Sequence, residues 1–282
     1  MMEGETRTTN TLNGSLLAVH GFLGSRCDWD SVFSAHIGVN ECIWDFDAFD
    51  LYENSGSYDL HELGKRINQW GMATTQKPRV LLGYSWGGRI ALHSLIQRPD
   101  LWAGAILVSA HPGIADTQEA RIEDHRNQGI QGIQSFQRIE RIRNDEIWAT
   151  RFETENWESV MTSWNSQAVF QGSRPLDTKK ESTDLRSQLA RSLRESSLGL
   201  QADLRSELKQ LQVPILWISG ERDAKFAVIH KEMAQLNPNY FEAERVPGAG
   251  HRVPWDQPQA FQNSVLRFLE KVQLNIFRQD LK

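Results

Sequence analysis

The feature that most constrains the fold is a serine between two glycines, placed where an apolar segment gives way to a helical one. The motif G-x-S-x-G at residues 83–87 follows the apolar run Val80–Tyr84 and opens the helical pattern Trp86–Gln97. A strand that turns at once into a helix forces the central serine into a strained conformation and exposes its hydroxyl at a helix N-terminus. The motif therefore predicts a nucleophile elbow at Ser85, with a glycine-rich turn and an idle serine as the alternative.

Short apolar segments recur along the chain and predict strands at Leu16–Val19, Cys42–Asp45, Val80–Tyr84, Gly104–Ser109, Pro214–Ser219 and Tyr240–Val246. Several of them are apolar at successive positions, which is typical of strands covered on both faces. Helical patterns lie between or after them at Leu60–Trp70, Trp86–Gln97 and Phe261–Val272. The alternation predicts right-handed βαβ units and an α/β fold with a doubly wound, mostly parallel sheet.

The alternation stops between residues 113 and 211, where no clear strand pattern is found. Helical patterns there cover Ala115–Gly129, Ile133–Thr150, Trp157–Trp164 and Leu185–Glu195. The stretch is too long for a loop inside a compact domain. We therefore predict a core formed by residues 1–112 and 212–282, with a helical cap inserted at 113–211.

Composition narrows the class of protein. The chain has 282 residues, a net charge of −5 and no excess of Lys and Arg, which argues against a nucleic-acid partner. No stretch reaches the roughly 18 apolar residues of a membrane span, and the polar start lacks the apolar run of a secretory signal. Two cysteines are too few for a disulfide framework. We expect a cytoplasmic protein, monomeric or weakly homo-oligomeric, with a small-molecule substrate.

Two further loops can complete the chemistry of Ser85. A serine needs a histidine to become reactive, and the histidine needs an acid to orient it. Asp223 follows the predicted strand at 214–219, and His251 follows the one at 240–246. Their order and their position after strand ends match a Ser-Asp-His triad. Glu221 is the alternative acid, and ordinary loop residues are the alternative for Asp223 and His251.

The turn His20–Gly24 after the first strand predicts an oxyanion hole. The backbone N–H groups of Phe22 and Trp86, the residue after the serine, would converge on one oxygen. We expect His20 to make structural hydrogen bonds in this turn rather than to catalyse.

No cofactor or metal is predicted. The acidic run Asp45–Asp50 has no cluster of His or Cys beside it, so we expect a solvated or helix-capping loop after a strand. The glycine-rich segment at 83–89 lacks the lysine and spacing of a phosphate-binding loop, and no dinucleotide fingerprint occurs.

Taken together, the segments HGFLGS, GYSWGGR, HPG, GERDAKF and GAGH resemble the α/β-hydrolase superfamily. Three details are similar to one family within it, the 2-succinyl-6-hydroxy-2,4-cyclohexadiene-1-carboxylate synthases (MenH). They are an arginine shortly after the elbow, the segment Ser109–Ile114, and the motifs Ser163–Phe170 and Ser197–Leu204. The resemblance covers about residues 16 to 270. Trp86 departs from it, because leucine usually follows the serine.

The resemblance implies a lyase that removes a ring proton from 2-succinyl-5-enolpyruvyl-6-hydroxy-3-cyclohexene-1-carboxylate and expels pyruvate. It implies that Ser85, activated by His251 and Asp223, acts as a general base rather than forming an acyl-enzyme. The oxyanion hole of Phe22 and Trp86 would hold the charge that develops on proton loss.

The implied substrate is a tricarboxylate, which arginine recognises through paired hydrogen bonds. By the same resemblance, Arg89 and Arg121 bind its carboxylates, Tyr84 and Trp164 help to enclose the pocket, and Arg186 is a candidate for a further arginine of the cap. A helix-surface salt bridge is the alternative role for these arginines.

Two other functions remain open. The first is an esterase or carbon–carbon bond hydrolase in which Ser85 is the nucleophile; its pocket would be mostly apolar. The second is a binding protein on the same fold with vestigial chemistry. The fold alone does not decide among them, since one scaffold hosts many reactions.

Overall fold

The computed structural model of the chain describes residues 14–39, 42–53, 56–115, 136–175 and 181–280. Their strands are β1 (Gly14–Val19), β2 (His36–Val39), β3 (Cys42–Phe49), β4 (Arg79–Tyr84), β5 (Gly104–Val108), β6 (Ile215–Gly220) and β7 (Phe241–Val246). They form one sheet in the order β2-β3-β1-β4-β5-β6-β7. All neighbouring pairs are parallel except β2 and β3, which are antiparallel. The predicted α/β fold class is confirmed.

Two parts of the sheet differ from the sequence prediction. β2 was not predicted, because this four-residue edge strand buries only every second residue and is too short to show a clear pattern. β3 continues past Asp45 to Phe49, since it pairs in parallel with the whole of β1, up to Val19 opposite Phe49. The prediction of a loop over the acidic run was therefore wrong for most of it: residues 45–49 lie in a strand.

The helices that the structure describes are α1 (Leu60–Ala73), α2 (Trp86–Gln97), α3 (Phe136–Thr154), α4 (Trp157–Asn165), α5 (Thr183–Glu195), α6 (Arg205–Leu208), α7 (Ala224–Leu236), α8 (Val253–Asp256) and α9 (Pro258–Asp280). Short 3-10 turns cover Arg26–Ser31, Pro99–Leu101 and Ala168–Phe170. α7 was missed by the sequence analysis, and α9 is longer than predicted at both ends.

Four of these helices, α3 to α6, lie between β5 and β6 along the chain. We call the described residues of this region (113–115, 136–175 and 181–211) the insert. Within the insert, Arg194 of α5 forms salt bridges to two residues of α3, Glu146 at 2.8 Å and Glu153 at 2.6 Å. The helical pattern predicted at 115–129 lies outside the described residues, apart from its first position.

The sheet separates two apolar clusters, because successive side chains of a strand point to opposite faces. In β1, Leu17 and Val19 pack with α1, α2 and the insert, whereas Leu16 and Ala18 pack with α9. Covering on both faces explains why β1, β4, β5 and β6 are buried throughout. Within the described ranges, no helix is long and apolar enough to cross a membrane.

Candidate active site

The turn between β4 and α2 has the geometry of the predicted elbow. Ser85 lies between the last residue of β4 and the first of α2, with φ of 53° and ψ of −109°. A non-glycine residue rarely adopts a positive φ, so the surrounding contacts must hold it there. The Ser85 N–H donates to the Val108 carbonyl at 2.8 Å, and its carbonyl accepts from the Arg89 N–H at 3.1 Å.

A glycine beside the serine lets two backbone segments meet. A Cβ at Gly87 would lie only 2.4 Å from the carbonyl oxygens of Val19 and His20. No real side chain tolerates this distance, so glycine is required where the end of β1 touches the start of α2. The contact brings the turn after β1 next to Ser85.

The structure aligns the three predicted triad side chains. The Oγ of Ser85 lies 3.1 Å from Nε2 of His251, and Nδ1 of His251 lies 2.7 Å from Oδ2 of Asp223. Both His251 and Asp223 are buried. Glu221, the alternative acid, is exposed and accepts a hydrogen bond from the N–H of Gly248 instead. The geometry therefore favours Asp223 as the partner of the histidine.

Backbone hydrogen bonds hold the two loops that carry Asp223 and His251 together. The N–H of Arg222 donates to the carbonyl of Ala249 at 2.9 Å. On the other side, the hydroxyl of Ser109 donates to the carbonyl of His251 at 2.9 Å. The relative position of acid and histidine is thus set by main-chain contacts at the ends of β5, β6 and β7.

Aromatic rings surround the imidazole of His251. The ring centres of Phe226, Phe170 and Tyr84 lie 4.8, 5.6 and 5.8 Å from it. Tyr84, which the sequence places at the pocket, is buried behind the histidine and does not line the cavity. Burial raises the pKa of its hydroxyl, so Tyr84 stays neutral.

The two predicted oxyanion donors lie together at the cavity. Phe22 and Trp86 both line it, and their ring centres are 6.4 Å apart. Within the part of the chain that the structure describes, neither backbone N–H donates to another residue. Nearby, His20 bonds to the Gly21 carbonyl through Nδ1 at 2.7 Å, while its Nε2 accepts from the N–H of Leu51. This is the structural placement predicted for His20.

Ser85 and His251 open onto a cavity of about 680 Å³ between the strand ends and the insert. Aromatic side chains form much of its wall: Phe22, Trp86, Trp148, Trp164, Phe170 and Phe226. Trp164 is buried, with its ring centre 4.6 Å from that of Phe22 and 4.9 Å from that of Trp148. The structure thus places Trp164 at the cavity, as the sequence predicts.

Arg89 brings a positive charge to the same cavity. It is only 8% exposed; its Nε donates to Oε1 of Gln201 at 2.6 Å and its Nη2 to the Ser196 carbonyl at 2.7 Å. Burial, followed by the charge of Arg141, lowers its pKa to about 9. Guanidinium has five N–H donors, and both acceptors are neutral. Among the described residues no carboxylate forms an ion pair with Arg89, so it retains capacity for an anion.

Arg186, another predicted arginine, does not line this cavity. Arg186 donates to Glu181 at 2.6 Å and to the carbonyls of Phe152 and Glu155, and its guanidinium lies over the ring of Trp157. These contacts hold it inside the insert, away from the cavity wall. Arg121 lies outside the described residues.

Sequence reasoning missed several residues of the wall. Arg141 lines the cavity and forms a two-pronged salt bridge to Asp145, with distances of 3.0 and 2.8 Å. Lys225 was named only within the segment GERDAKF, and Phe170 only within the motif Ser163–Phe170. Gln201, which accepts from Arg89, was named only within the motif Ser197–Leu204. Those motifs were the available signal, but a motif does not reveal which of its side chains faces a cavity.

The described residues contain no group of three or more His, Cys, Asp or Glu side chains that could hold a metal ion. In the acidic run, Asp45 lies 3.0 Å from His36 on the adjacent edge strand. At the cavity, Ser85 supplies a hydroxyl, His251 an imidazole and Arg89 a cation.

Comparisons with known proteins cover most of the chain. Residues 16–262 match the model of the α/β hydrolase family. Two curated relatives are named 2-succinyl-6-hydroxy-2,4-cyclohexadiene-1-carboxylate synthase. The one from Klebsiella pneumoniae is 31% identical over 255 residues, covering 87% of this chain and 89% of the relative. The one from Escherichia coli is 28% identical over 275 residues, covering 90% and 93%.

Solved structures give the same picture of the fold. MenH from S. aureus superposes with a TM-score of 0.74 and 24% identity, covering 94% of this chain and 96% of its own. A thermophilic esterase from Thermogutta terrifontis superposes with a TM-score of 0.62 and 20% identity, covering 93% of this chain and 91% of its own. The resemblance inferred from the motifs is confirmed. The two structures carry different names, so the fold by itself does not separate lyase from esterase.

Proposed function

The chain belongs to the α/β hydrolase family, and from this premise we propose that it eliminates pyruvate from 2-succinyl-5-enolpyruvyl-6-hydroxy-3-cyclohexene-1-carboxylate. The product is 2-succinyl-6-hydroxy-2,4-cyclohexadiene-1-carboxylate, on the route to menaquinone or phylloquinone. The observation that carries the proposal is Arg89, a buried cation with no carboxylate partner among the described residues, on the same cavity as Ser85 and His251. A tricarboxylate substrate supplies the missing anion.

In this reaction Ser85, His251 and Asp223 work as a general base. Asp223 accepts a hydrogen bond from the Nδ1–H of His251, which leaves the lone pair of Nε2 directed at the serine hydroxyl, 3.1 Å away. The serine oxygen takes the proton from the substrate ring while its own proton passes to His251. A positioned base of this kind contributes roughly 10²–10⁴-fold.

Loss of the ring proton leaves an electron pair that must expel the leaving group. The electrons form a new ring double bond as the carbon–oxygen bond to the enolpyruvyl group breaks. The departing enolate then takes up a proton at carbon and becomes pyruvate, and His251 gives up the proton it received. Serine forms no covalent bond to the substrate at any stage.

The charge that develops on the substrate during proton loss needs donors. The free N–H groups of Phe22 and Trp86 supply them, together with the N-terminus of α2, which favours negative charge. Removing one such donor costs about 10²–10³-fold in other enzymes. The strained backbone at Ser85 is what keeps the Trp86 N–H and the serine hydroxyl on the same side.

We also propose that residues 113–211 act as a cap over this cavity. Trp148, Trp164 and Phe170 of the insert form its aromatic wall opposite the strand ends. A covered cavity excludes water, which strengthens the attraction between Arg89 and a carboxylate. Exclusion of water also favours elimination over hydrolysis.

The test is release of pyruvate from the enolpyruvyl cyclohexene substrate by the wild type and by Ser85→Ala and Arg89→Ala. We expect rapid release by the wild type, a loss of about 10²-fold or more in Ser85→Ala, and a large rise in KM for Arg89→Ala. Arg98→Ala, which removes an exposed arginine at the end of α2, is the matched control and should leave release unchanged.

The aromatic wall favours one second function, a serine esterase for an apolar acyl group. In that case Ser85 would form an acyl-enzyme that water then hydrolyses. Cleavage of simple aryl esters that needs Ser85, without any release of pyruvate, would replace the lyase proposal by this one. Any turnover that disappears in Ser85→Ala would eliminate a binding protein with vestigial chemistry.

A further inference from the structure

A second cavity, of about 360 Å³, adjoins the first. The two share five lining residues: His111, Arg141, Asn144, Leu198 and Lys225. A shared wall of this size means that the cavities meet, and we call the place where they meet the junction. The mechanism proposed above uses none of these five side chains, although His111 and Lys225 belong to the motifs HPG and GERDAKF.

His111 is a neutral hydrogen-bond donor at the junction. Its Nδ1 accepts from the N–H of Gly113 at 3.1 Å, so the proton of the neutral ring is on Nε2. Burial, followed by the positive charges of Lys225 and Arg89, lowers its pKa to about 2. His111 therefore presents an N–H group at any pH at which the protein works, without adding a charge of its own.

Lys225 is the cation of the junction that has no carboxylate partner among the described residues. It is the second residue of α7, and within the described ranges its ammonium group forms neither a hydrogen bond nor an ion pair with another residue. Although its side chain is exposed, it lines both cavities. Burial, followed by the charge of Arg141, lowers its pKa. Both effects act against a lone cation, and a bound anion would relieve them.

The other charges at the junction are already matched. Arg141 is held by Asp145 at 2.8 Å, and Asp145 also accepts from the hydroxyl of Ser197 at 2.7 Å. In the second cavity, Arg205 is paired with Asp203 and Glu232, both at 2.6 Å. These pairs are close to neutral, so they neither compete for an incoming anion nor replace Lys225 as its partner.

Among the described residues, one acidic side chain lines the second cavity. Glu140 lines that cavity but not the main one. Its charge opposes an anion that would pass beyond the junction toward it. The field along the passage thus favours an anion held at Lys225 rather than one deeper in the second cavity.

We propose that His111 and Lys225 form an additional carboxylate subsite at the junction. The ammonium group supplies the charge, and the Nε2–H of His111 supplies a directed hydrogen bond. One aromatic ring separates this subsite from the catalytic histidine. The Nζ of Lys225 is 5.7 Å from the centre of the Phe226 ring, and that ring is 4.8 Å from the ring of His251.

This inference rests on the proposed function, because it assigns one carboxylate of that substrate. A carboxylate attached directly to the ring has no reach of its own, whereas the succinyl arm carries one on a flexible chain of several bonds. The junction lies on the wall of the main cavity, with the ring of Phe226 between Lys225 and His251. We therefore assign the terminal carboxylate of the succinyl arm to His111 and Lys225, and leave Arg89 to a carboxylate closer to the ring.

The first test is kinetic. Lys225→Gln and His111→Phe should raise KM about tenfold or more while kcat falls much less, because the arm is bound alike in ground and transition states. Lys225→Arg should restore most of the affinity. Lys231→Gln, an equal charge change on an exposed residue of α7 outside both cavities, is the control and should leave KM unchanged.

The second test does not depend on turnover. Tricarballylate, a small tricarboxylate, is titrated into the unliganded protein by calorimetry. We expect wild type and Lys231→Gln to bind it, and Lys225→Gln to bind about tenfold more weakly or not at all. Equal binding by Lys225→Gln and wild type, or no binding by the wild type, overturns the subsite.

The two tests separate this inference from the proposed function. Release of pyruvate by the wild type together with an unchanged KM in Lys225→Gln removes the subsite and keeps the synthase. Absence of pyruvate release removes the synthase and the succinyl assignment. Binding of tricarballylate that is lost in Lys225→Gln would then keep only a carboxylate subsite for another substrate.

Discussion

The two sides of the main cavity are built in different ways. The sheet side carries Ser85, Asp223 and His251, each in the turn or loop that follows a strand. Main-chain hydrogen bonds of 2.8–3.1 Å hold Ser85 and Asp223, and the carbonyl of His251 accepts from the hydroxyl of Ser109. The insert side carries aromatic rings and Arg141, which are held by ring contacts and by a side-chain salt bridge. One side is positioned by backbone and the other by side chains.

This difference indicates that the two sides have different roles, one in catalysis and the other in substrate selection. Backbone contacts at strand ends tolerate little movement, which suits groups that must meet a reacting atom within a few tenths of an ångström. Side-chain packing can change with the sequence while the backbone stays, which suits selection among substrates. We expect substitutions of the triad on the sheet side to lower kcat, whereas substitutions of the insert's wall residues should raise KM, as should those of the anion-binding Arg89 and Lys225.

The largest effect is expected for Asp223→Asn. The amide would offer His251 the wrong hydrogen-bonding partner and turn its lone pair away from Ser85. The fall in kcat should be roughly 10³–10⁴-fold, as in other triads. Glu221→Gln, in the same loop and equally a carboxylate change, should behave as wild type. Equal losses in both variants would mean that the acid has been misassigned, and initial rates of pyruvate release decide it.

Paired glycine substitutions compare the two sides directly. Alanine at Gly87 would put a Cβ 2.4 Å from the carbonyls of Val19 and His20, and alanine at Gly199 would put one 2.4 Å from the carbonyl of Arg138. Each should destabilise the fold by about 1–3 kcal/mol. Only Gly87→Ala also moves the oxyanion donors, so we expect its kcat to fall about 10²-fold. Comparable losses of kcat in the two variants, measured below their unfolding temperatures, would contradict different roles for the two sides.

The difference between placement by the backbone and placement by side-chain packing also determined what could be predicted from the sequence. Ser85, Asp223 and His251 were found because each follows an apolar strand, and a strand end fixes where the next residue lies. The positions of Tyr84 and Arg186 could not be derived in this way. Tyr84 alternates to the side of the sheet behind His251, and Arg186 is drawn to Glu181 by packing within the insert. Long-range contacts of this kind leave no local pattern.

The fold shows the same limit. The buried parallel strands were predicted because covering on both faces gives an uninterrupted apolar run. The edge strand β2 was missed, and so was α7, which begins where Asp223 accepts a hydrogen bond from the N–H of Phe226. In α7 the capping residue also serves the triad. Because Asp223 is both the N-terminal capping residue of α7 and the acid of the triad, the sequence analysis assigned it to a catalytic loop and did not predict the helix that begins there.

A smaller effect is expected where the two sides touch. The carboxylate of Asp256 accepts from the N–H of Gly250, next to the catalytic histidine, and from the hydroxyl of Ser173 and the N–H of Arg174 in the insert. Asp256→Asn weakens these charge-assisted bonds, each worth about 1.5–3 kcal/mol. We expect kcat and KM both to change several-fold, with a lower melting temperature. A change confined to one of the two constants would show that the sides are not coupled here.

The smallest effect concerns weak acid and falls on the sheet side. Burial lowers the pKa of both His93 and His230 to about 4. Below its ordinary pKa of about 6.5, each histidine takes up a proton in the unfolded chain but not in the folded one. Stability is therefore complete above about pH 6.5 and is lost as the pH falls toward 4, by on the order of 1–2 kcal/mol for each histidine.

Urea unfolding between pH 7 and pH 5 measures this loss. In the described part of the insert there is no histidine, so the acid sensitivity should come from His93 and His230 on the helices packed on the sheet and from His111 after β5. His93→Gln should reduce the pH dependence of the unfolding free energy by up to one proton, whereas His61→Gln, which removes an exposed histidine on α1, should leave it unchanged. If both variants keep the wild-type pH dependence of the unfolding free energy, His93 is not a source of the acid sensitivity. The sheet side of the cavity would then not be the part that weak acid destabilises first.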